Sequence, residues 1–250
     1  MVIATILAHS FTAKLAARWL KVTGSGDKGV LIVGTTQWSL SLAELLKSLN
    51  IPVLIADTSW QRLATARQRG MRVFHGEILA EVTEDHVDMS EFQALVATTD
   101  NEAYNALVCN ELAPEVGRHA VFQLGDTSDD NPRALPPTLR GRTLFASGLG
   151  VEEIARRERE GWDFRKTRLT DKYTLEDARA DLPPDADLLV LVRDGGKLHF
   201  FSHASRPKPQ PGDTVVSYAP PREPALARAK KTPPPKGDEG MIPLPSPSGT

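Results

Sequence analysis

The sequence predicts an α/β fold, a doubly wound parallel sheet followed by a small β-rich α+β module and a disordered tail. Three observations carry this. Residues 29–57 read as strand, turn, helix and strand: Gly29-Val30-Leu31-Ile32-Val33, then Gly34-Thr35-Thr36, then Gln37 to Asn50, then Pro52 to Ala56 stopping at Asp57. Short apolar runs continue to alternate with helical patterns as far as Leu124, the mark of strands covered on both faces. From Ala219 onward nine of the 19 prolines gather with Arg222, Arg228, Lys230, Lys231 and Lys236, too little apolar surface to offset chain entropy.

The later elements follow in order. Thr58 or Ser59 can cap a second helix with Trp60, Leu63, Ala64 and Ala66 on one face, ended by Gly70. Met71 to Phe74 is a third strand closed by His75-Gly76-Glu77, and Ala94 to Ala97 a fourth running into Thr98-Thr99-Asp100-Asn101-Glu102. Thr99 and Glu102 have capping-box spacing. The helix from Asp100 to about Ala113 shows Ala103, Leu107, Val108 and Leu112 at helical spacing, and Ala120 to Leu124 is a fifth strand. The turn-rich stretch 125–137 predicts a boundary near residue 140. Thr143 to Ala146 then reads as a short strand, Val151 to Glu160 as a charged helix, and Trp162 to Thr170 as an alternating strand. Leu188 to Val192 and Lys197 to Phe201 form a hairpin about Arg193-Asp194-Gly195-Gly196, and Thr214 to Tyr218 is a final strand.

Composition narrows the function classes. A net charge of −2 gives no electrostatic footprint for nucleic acid, so no nucleic-acid partner is expected. The single Cys109 cannot form an internal disulfide and reads as a buried small hydrophobe. Residues 1–22 are apolar to Ala8 and basic later, at Lys14, Arg18 and Lys21, the reverse of a signal peptide. They read as the cytoplasmic end of a membrane helix or as an amphipathic helix.

In a Rossmann-like sheet, ligands sit beyond the carboxyl ends of the strands. Gly34 to Asp57 has the separation between a phosphate turn and a ribose-binding acid, but Thr36 and Ser39 stand where the second and third glycines of G-x-G-x-x-G would be. The polar clusters 34–36, 57, 75–77 and 98–101 all fall on one predicted rim. His75 has no second metal ligand near it in sequence and reads as a strand-end histidine. No metal site and no catalytic acid–base pair is expected.

The order Val-Leu-Ile-Val-Gly, Ile-Pro-Val-Leu-Ile-Ala-Asp, Val-Phe-His-Gly-Glu and Ala-Thr-Thr-Asp-Asn-Glu-Ala-Tyr-Asn resembles the TrkA N-terminal (RCK or KTN) domain, most closely the version behind the membrane domain of bacterial cation/proton antiporters. The resemblance covers residues 1–125. It implies that Gly34, Thr35 and Thr36 form the phosphate turn and Asp57 the ribose acid. It places Gly76 and Glu77 on the adenine side and has Thr98, Thr99 and Asp100 close over the nucleotide, although Thr99 and Asp100 read equally well as helix capping. The ligand it implies is an adenine nucleotide, AMP, ADP, ATP or NAD(H). Residues 193–213 bear a fainter resemblance to a TrkA C-terminal (RCK-C) module.

Four segments are thus expected: 1–22 as above, 28–140 the Rossmann-like domain, 141–218 the RCK-C-like module and 219–250 the tail. The function implied is a nucleotide- or ion-sensing regulatory region, not an enzyme. It would lie at the cytoplasmic face of the cell membrane, joined to an upstream membrane antiporter domain and paired as a homodimer. The alternative is a soluble NAD-dependent oxidoreductase of the precorrin-2 dehydrogenase-like type.

Overall fold

The computed structural model describes residues 28–80, 86–125 and 135–221. The expected N-terminal segment 1–22 and nearly all of the tail lie outside them. Six parallel strands form the first sheet: β1 (Gly29–Val33), β2 (Val53–Asp57), β3 (Arg72–His75), β4 (Phe92–Ala97), β5 (Val121–Gln123) and β6 (Arg142–Thr143), in the order β3-β2-β1-β4-β5-β6. The chain reverses direction of growth between β1 and β4, which opens a crevice at their carboxyl ends. Of the strand expected at Thr143 to Ala146 only Thr143 lies in β6, on the edge of this first sheet, while Leu144 and Phe145 make isolated bridges to Ser202.

Alternation of side chains sorts the first sheet into two buried faces. Val30, Ile32, Val53, Ile55, Ala94 and Val96 point to one, beneath α1 (Gln37–Ser48) and α2 (Trp60–Gln68). Leu31, Val33, Leu54, Ala56, Leu95 and Ala97 point to the other, beneath α3 (Glu102–Glu111) and α4 (Ala113–Val116). Helices on both faces explain why the strands read as continuous apolar runs.

Two helix faces differ from their expected form. Trp60 is 53% exposed, its ring edge-on to His75 and under the Arg67 guanidinium; α2 inserts Leu63 and Ala66 instead. In α3 the buried stripe is Asn105, Ala106, Val108 and Cys109, with Leu107 49% exposed. A ten-residue helix has too few apolar positions to fix its own rotation, so contact with the sheet decides it.

The second sheet is antiparallel, β7 (Asp163–Arg168), β8 (Asp187–Val192), β9 (Leu198–Phe200) and β10 (Thr214–Ala219) in the order β7-β10-β8-β9. Gly195 and Gly196, at φ +82° and +75°, make the expected β8–β9 hairpin turn, where the Arg193 N–H donates to Lys197 O at 2.9 Å. Helix α5 (Val151–Arg159) precedes this sheet. The sequence reading missed α6 (Leu175–Ala180), which opens on a capping box between Thr174 and Asp177.

One apolar core joins the two sheets. It runs from Val30 and Phe122 through Trp38, Phe145 and Phe164 to Val216 and Tyr218. Trp38 meets Phe145 and Phe164 edge-on at 6.2 and 5.5 Å between ring centroids, and Phe122 lies 4.6 Å from Phe200. Gln93 of β4 adds polar ties, donating to Gly196 O at 2.9 Å and accepting from the Leu198 N–H at 2.9 Å. Among the described residues no helix is long and apolar enough to cross a membrane.

Candidate functional site

A cleft of about 230 Å³ opens at the carboxyl ends of β1 to β4. Of the residues singled out by sequence, Gly34, Asp57, Gly76, Glu77, Thr99 and Asp100 line it. Thr35, Thr36 and Thr98 do not: Thr36 and Thr98 are engaged elsewhere, and Thr35 gives its N–H to Asp57 while its hydroxyl has no partner among the described residues.

Gly34 sits at φ +101°, its N–H donating to Ala56 O at 2.8 Å. A Cβ there would meet the Thr99 backbone N at 2.8 Å, so the turn after β1 is pressed against the loop after β4. Thr98, fully buried, fastens this approach: its N–H donates to Val33 O at 2.8 Å and its hydroxyl to Gly34 O at 3.1 Å. Thr36 caps α1, its Oγ1 accepting from the Ser39 N–H at 3.0 Å while Ser39 Oγ accepts from the Thr36 N–H at 2.8 Å. The Ser39 that breaks the glycine pattern therefore closes a capping box.

Asp57 is the most heavily committed side chain of the rim. Its carboxylate accepts from the Thr35 N–H at 2.8 Å, from the Ser59 N–H at 2.8 Å, and from Arg62 through Nε at 3.0 Å and Nη2 at 2.8 Å. Burial alone would raise its pKa, but the hydrogen bonds from Arg62 and from the Ser59 and Thr35 N–H groups hold the carboxyl below the usual range. Ser59, of the two candidate residues, caps α2. Arg62 was not marked by sequence, yet among the described residues it lines the cleft as its one cationic side chain, together with the carboxylates of Asp57, Glu77 and Asp100.

On the far wall Tyr104 donates its hydroxyl to Glu77 Oε1, tying α3 to the turn after β3. Burial first and the Glu77 carboxylate second raise the phenol pKa. The expected Thr99–Glu102 capping box does not form. Asn101 caps α3, accepting from the Tyr104 N–H at 3.0 Å, and Thr99 is held by buried Asn105. Asn105 Oδ1 accepts from the Thr99 N–H at 3.0 Å and hydroxyl at 2.6 Å, and its Nδ2 donates to Thr99 O at 2.9 Å. Tyr104 and Asn105 were legible only as helix residues, since nothing in their spacing shows which way they face.

His75 lies outside the lining set, its Nε2 3.1 Å from Thr58 O. Among the described residues no group of three His, Cys, Asp or Glu side chains could hold a metal ion.

Fold and site together define a doubly wound α/β domain with a crevice at its switch point. The family model of the TrkA-N domain matches residues 30–122. No curated protein matches the chain. Among solved structures, the chain is similar to the TrkA-N domain of inner membrane protein YbaL from Escherichia coli, at 20% identity and a TM-score of 0.39, covering 54% of this chain and 96% of that one. It is also similar to the GsuK RCK domain, at 10% identity and a TM-score of 0.40 over 79% of this chain and 46% of that one. A third, the GsuK channel bound to NAD, has 12% identity and a TM-score of 0.41 over 86% of this chain and 43% of that one. The chain thus spans less than half the length of either GsuK chain.

Proposed function

We propose that this chain is a regulatory region whose rim cleft takes an adenine mononucleotide. The observation that carries the reading is the convergence, within the segment that the TrkA-N family model matches, of Gly34, Asp57, Gly76, Glu77 and the 99–101 loop on one crevice at the sheet's switch point. The cleft's 230 Å³ is below the roughly 300–1,000 Å³ of sites that enclose a drug-sized ligand, which favours a nucleoside or mononucleotide over a dinucleotide. Three carboxylates against one guanidinium on its walls disfavour a polyphosphate. The expected order of affinity is AMP, then ADP, then ATP and NAD(H). In this reading the module from residue 141 to 218 is an RCK-C-like partner of the domain, and the whole is the cytosolic part of a monovalent cation/proton antiporter, working as a homodimer. A bound nucleotide regulates the membrane part only through its differential affinity for two conformations.

Calorimetry with AMP, ADP, ATP, NAD and NADH tests the site. Tyr104→Phe and Glu77→Gln are the informative variants, because both line the cleft away from the buried anchor Asp57. Binding of AMP, weakened in both variants, supports the reading. Failure of every nucleotide to bind at millimolar concentration overturns it, and steady NADH turnover with a small carbonyl or tetrapyrrole substrate would establish the oxidoreductase instead. Hydrophobic spans encoded upstream in the same polypeptide would support the antiporter assignment.

A further inference from the structure

A second cleft, of about 280 Å³, lies where the start of α1, the end of α5, β7 and β10 meet. It shares no lining residue with the rim cleft. Four aromatic side chains line it, Trp38, Trp162, Phe164 and Tyr218, together with the carboxylates of Glu158 and Asp163. The rings are contiguous: Trp38 to Phe164 at 5.5 Å, Phe164 to Tyr218 at 5.1 Å and Tyr218 to Trp162 at 5.5 Å between centroids.

Three polar atoms of these residues have no hydrogen-bond partner among the described residues: Trp38 Nε1, Tyr218 Oη and Glu158 Oε1. Trp38 and Tyr218 are each only 1% exposed. Buried polar groups in native proteins are almost always satisfied, by protein, ligand or ordered water, so three around one cleft call for a polar partner there. Burial raises the Glu158 pKa, and the Trp38 backbone N–H at the start of α1 opposes that rise.

Charge selects the class of ligand. Among the described residues no cationic side chain lines the cleft. The nearby Arg157 guanidinium stacks on Trp162 at 4.2 Å and is committed to Glu153 and Asp187, each at 2.6 Å. Contiguous aromatic rings with carboxylates beside them attract an organic cation through ring quadrupole and charge. The indole N–H can only donate, so the same ligand must also carry an oxygen acceptor. We propose that this cleft binds a small organic ammonium ion bearing a hydroxyl or other neutral oxygen.

The test uses the full chain and four probes: choline, ethanolamine, tetramethylammonium, and 3,3-dimethylbutan-1-ol, the uncharged isostere of choline. Binding is read by calorimetry and tryptophan fluorescence, with potassium chloride as the ionic-strength control. Choline and ethanolamine should bind. Tetramethylammonium, lacking the acceptor, should bind about fivefold to tenfold more weakly than choline, and the neutral alcohol should not bind measurably. Glu158→Gln should weaken choline at least about tenfold with its melting temperature retained. Should that variant not fold, Tyr218→Phe serves in its place, weakening choline while leaving tetramethylammonium unchanged. Binding of the neutral alcohol as tightly as choline, or of no probe at tens of millimolar, would overturn the proposal and leave the cleft a pocket for ordered water.

Discussion

Replacing Asp57 by alanine should destabilise the domain by about 2–4 kcal/mol, and the geometry says where that comes from. The Thr35 N–H is buried and has the Asp57 carboxylate as its acceptor, and a buried donor left unpaired costs about 1–3 kcal/mol. The Ser59 N–H loses the same acceptor at the cap of α2, worth roughly 0.5–1 kcal/mol. The Arg62 guanidinium is 56% exposed and returns to water, adding at most about 1 kcal/mol. Asp57→Asn keeps one carbonyl acceptor and should cost about 1–2 kcal/mol, and Arg62→Ala less than about 1 kcal/mol. Urea denaturation followed by circular dichroism gives these values, provided the slope of free energy against urea stays constant across the series. A loss below about 0.5 kcal/mol for Asp57→Ala would refute the argument. The sign of the pH dependence follows. Folding depresses this carboxyl's pKa, so its contribution is fully present above the unfolded value of about 3.9 and is lost as pH falls through the folded one.

Gly34→Ala combines a positive φ with a Cβ 2.8 Å from the Thr99 backbone and should cost about 2–4 kcal/mol by the same denaturation assay, with no relief from side-chain rearrangement. Asn105→Ala removes three hydrogen bonds to Thr99, and hydrogen exchange should show the 98–101 loop losing protection ahead of β1 and β4. Burial pushes the Cys109 thiol up to about 12, so iodoacetamide at pH 8 should label it only at the rate at which the domain opens; rapid stoichiometric labelling of the native protein would contradict the packing. Burial first, then Arg193 and Lys197, lowers the His199 pKa, so its neutral form is favoured in the fold. Stability should therefore fall as pH drops through the unfolded value of about 6.5, and His199→Gln should flatten that slope between about pH 7 and 5.

The first sheet was legible because its strands are buried on both faces and so spell themselves as apolar runs. Gly34 and Asp57 were legible for a related reason: a turn after β1 and an acid at the tip of β2 occupy positions that any doubly wound sheet must fill. What the sequence concealed depends on rotation and on competition between caps. The motif Thr99-x-x-Glu102 lost to Asn101 because Asn105 holds Thr99 from one turn further along the helix, and a spacing rule does not see that contact. Arg62 looked like an ordinary exposed residue of α2 until the fold brought it round onto Asp57. The partnership of Thr36 with Ser39 is available in the sequence as a cap. In the second sheet, the Thr174-x-x-Asp177 signal of α6 was present but lay in a stretch where no apolar run drew attention to it.

Helix α1 begins beside the rim cleft and lines the second one. Its first turn follows directly from Gly34, which lines the rim cleft, and its N-cap is locked by the Thr36–Ser39 pair, so a shift of that turn must carry the helix with it. Its Trp38 and Gln37 line the second cleft, and its buried face, Trp38, Leu40, Leu42 and Leu46, lies in the core shared by both sheets. A close-packed core transmits such a displacement as a rigid movement, because side chains packed at this density have no room to absorb it. A ligand at either cleft therefore biases the other only if it prefers one position of α1, and by reciprocity the coupling is equal in both directions. Helix α5 also faces the start of this helix: Glu158 lines the second cleft with Trp38, whose backbone N–H favours the charged carboxylate. A movement of α1 away from α5 withdraws that N–H from a half-buried carboxylate. Coupling between the clefts, if measured, should accordingly weaken in Glu158→Gln even when the rim cleft's own affinity is unchanged, and strengthening on that substitution would place the resistance elsewhere.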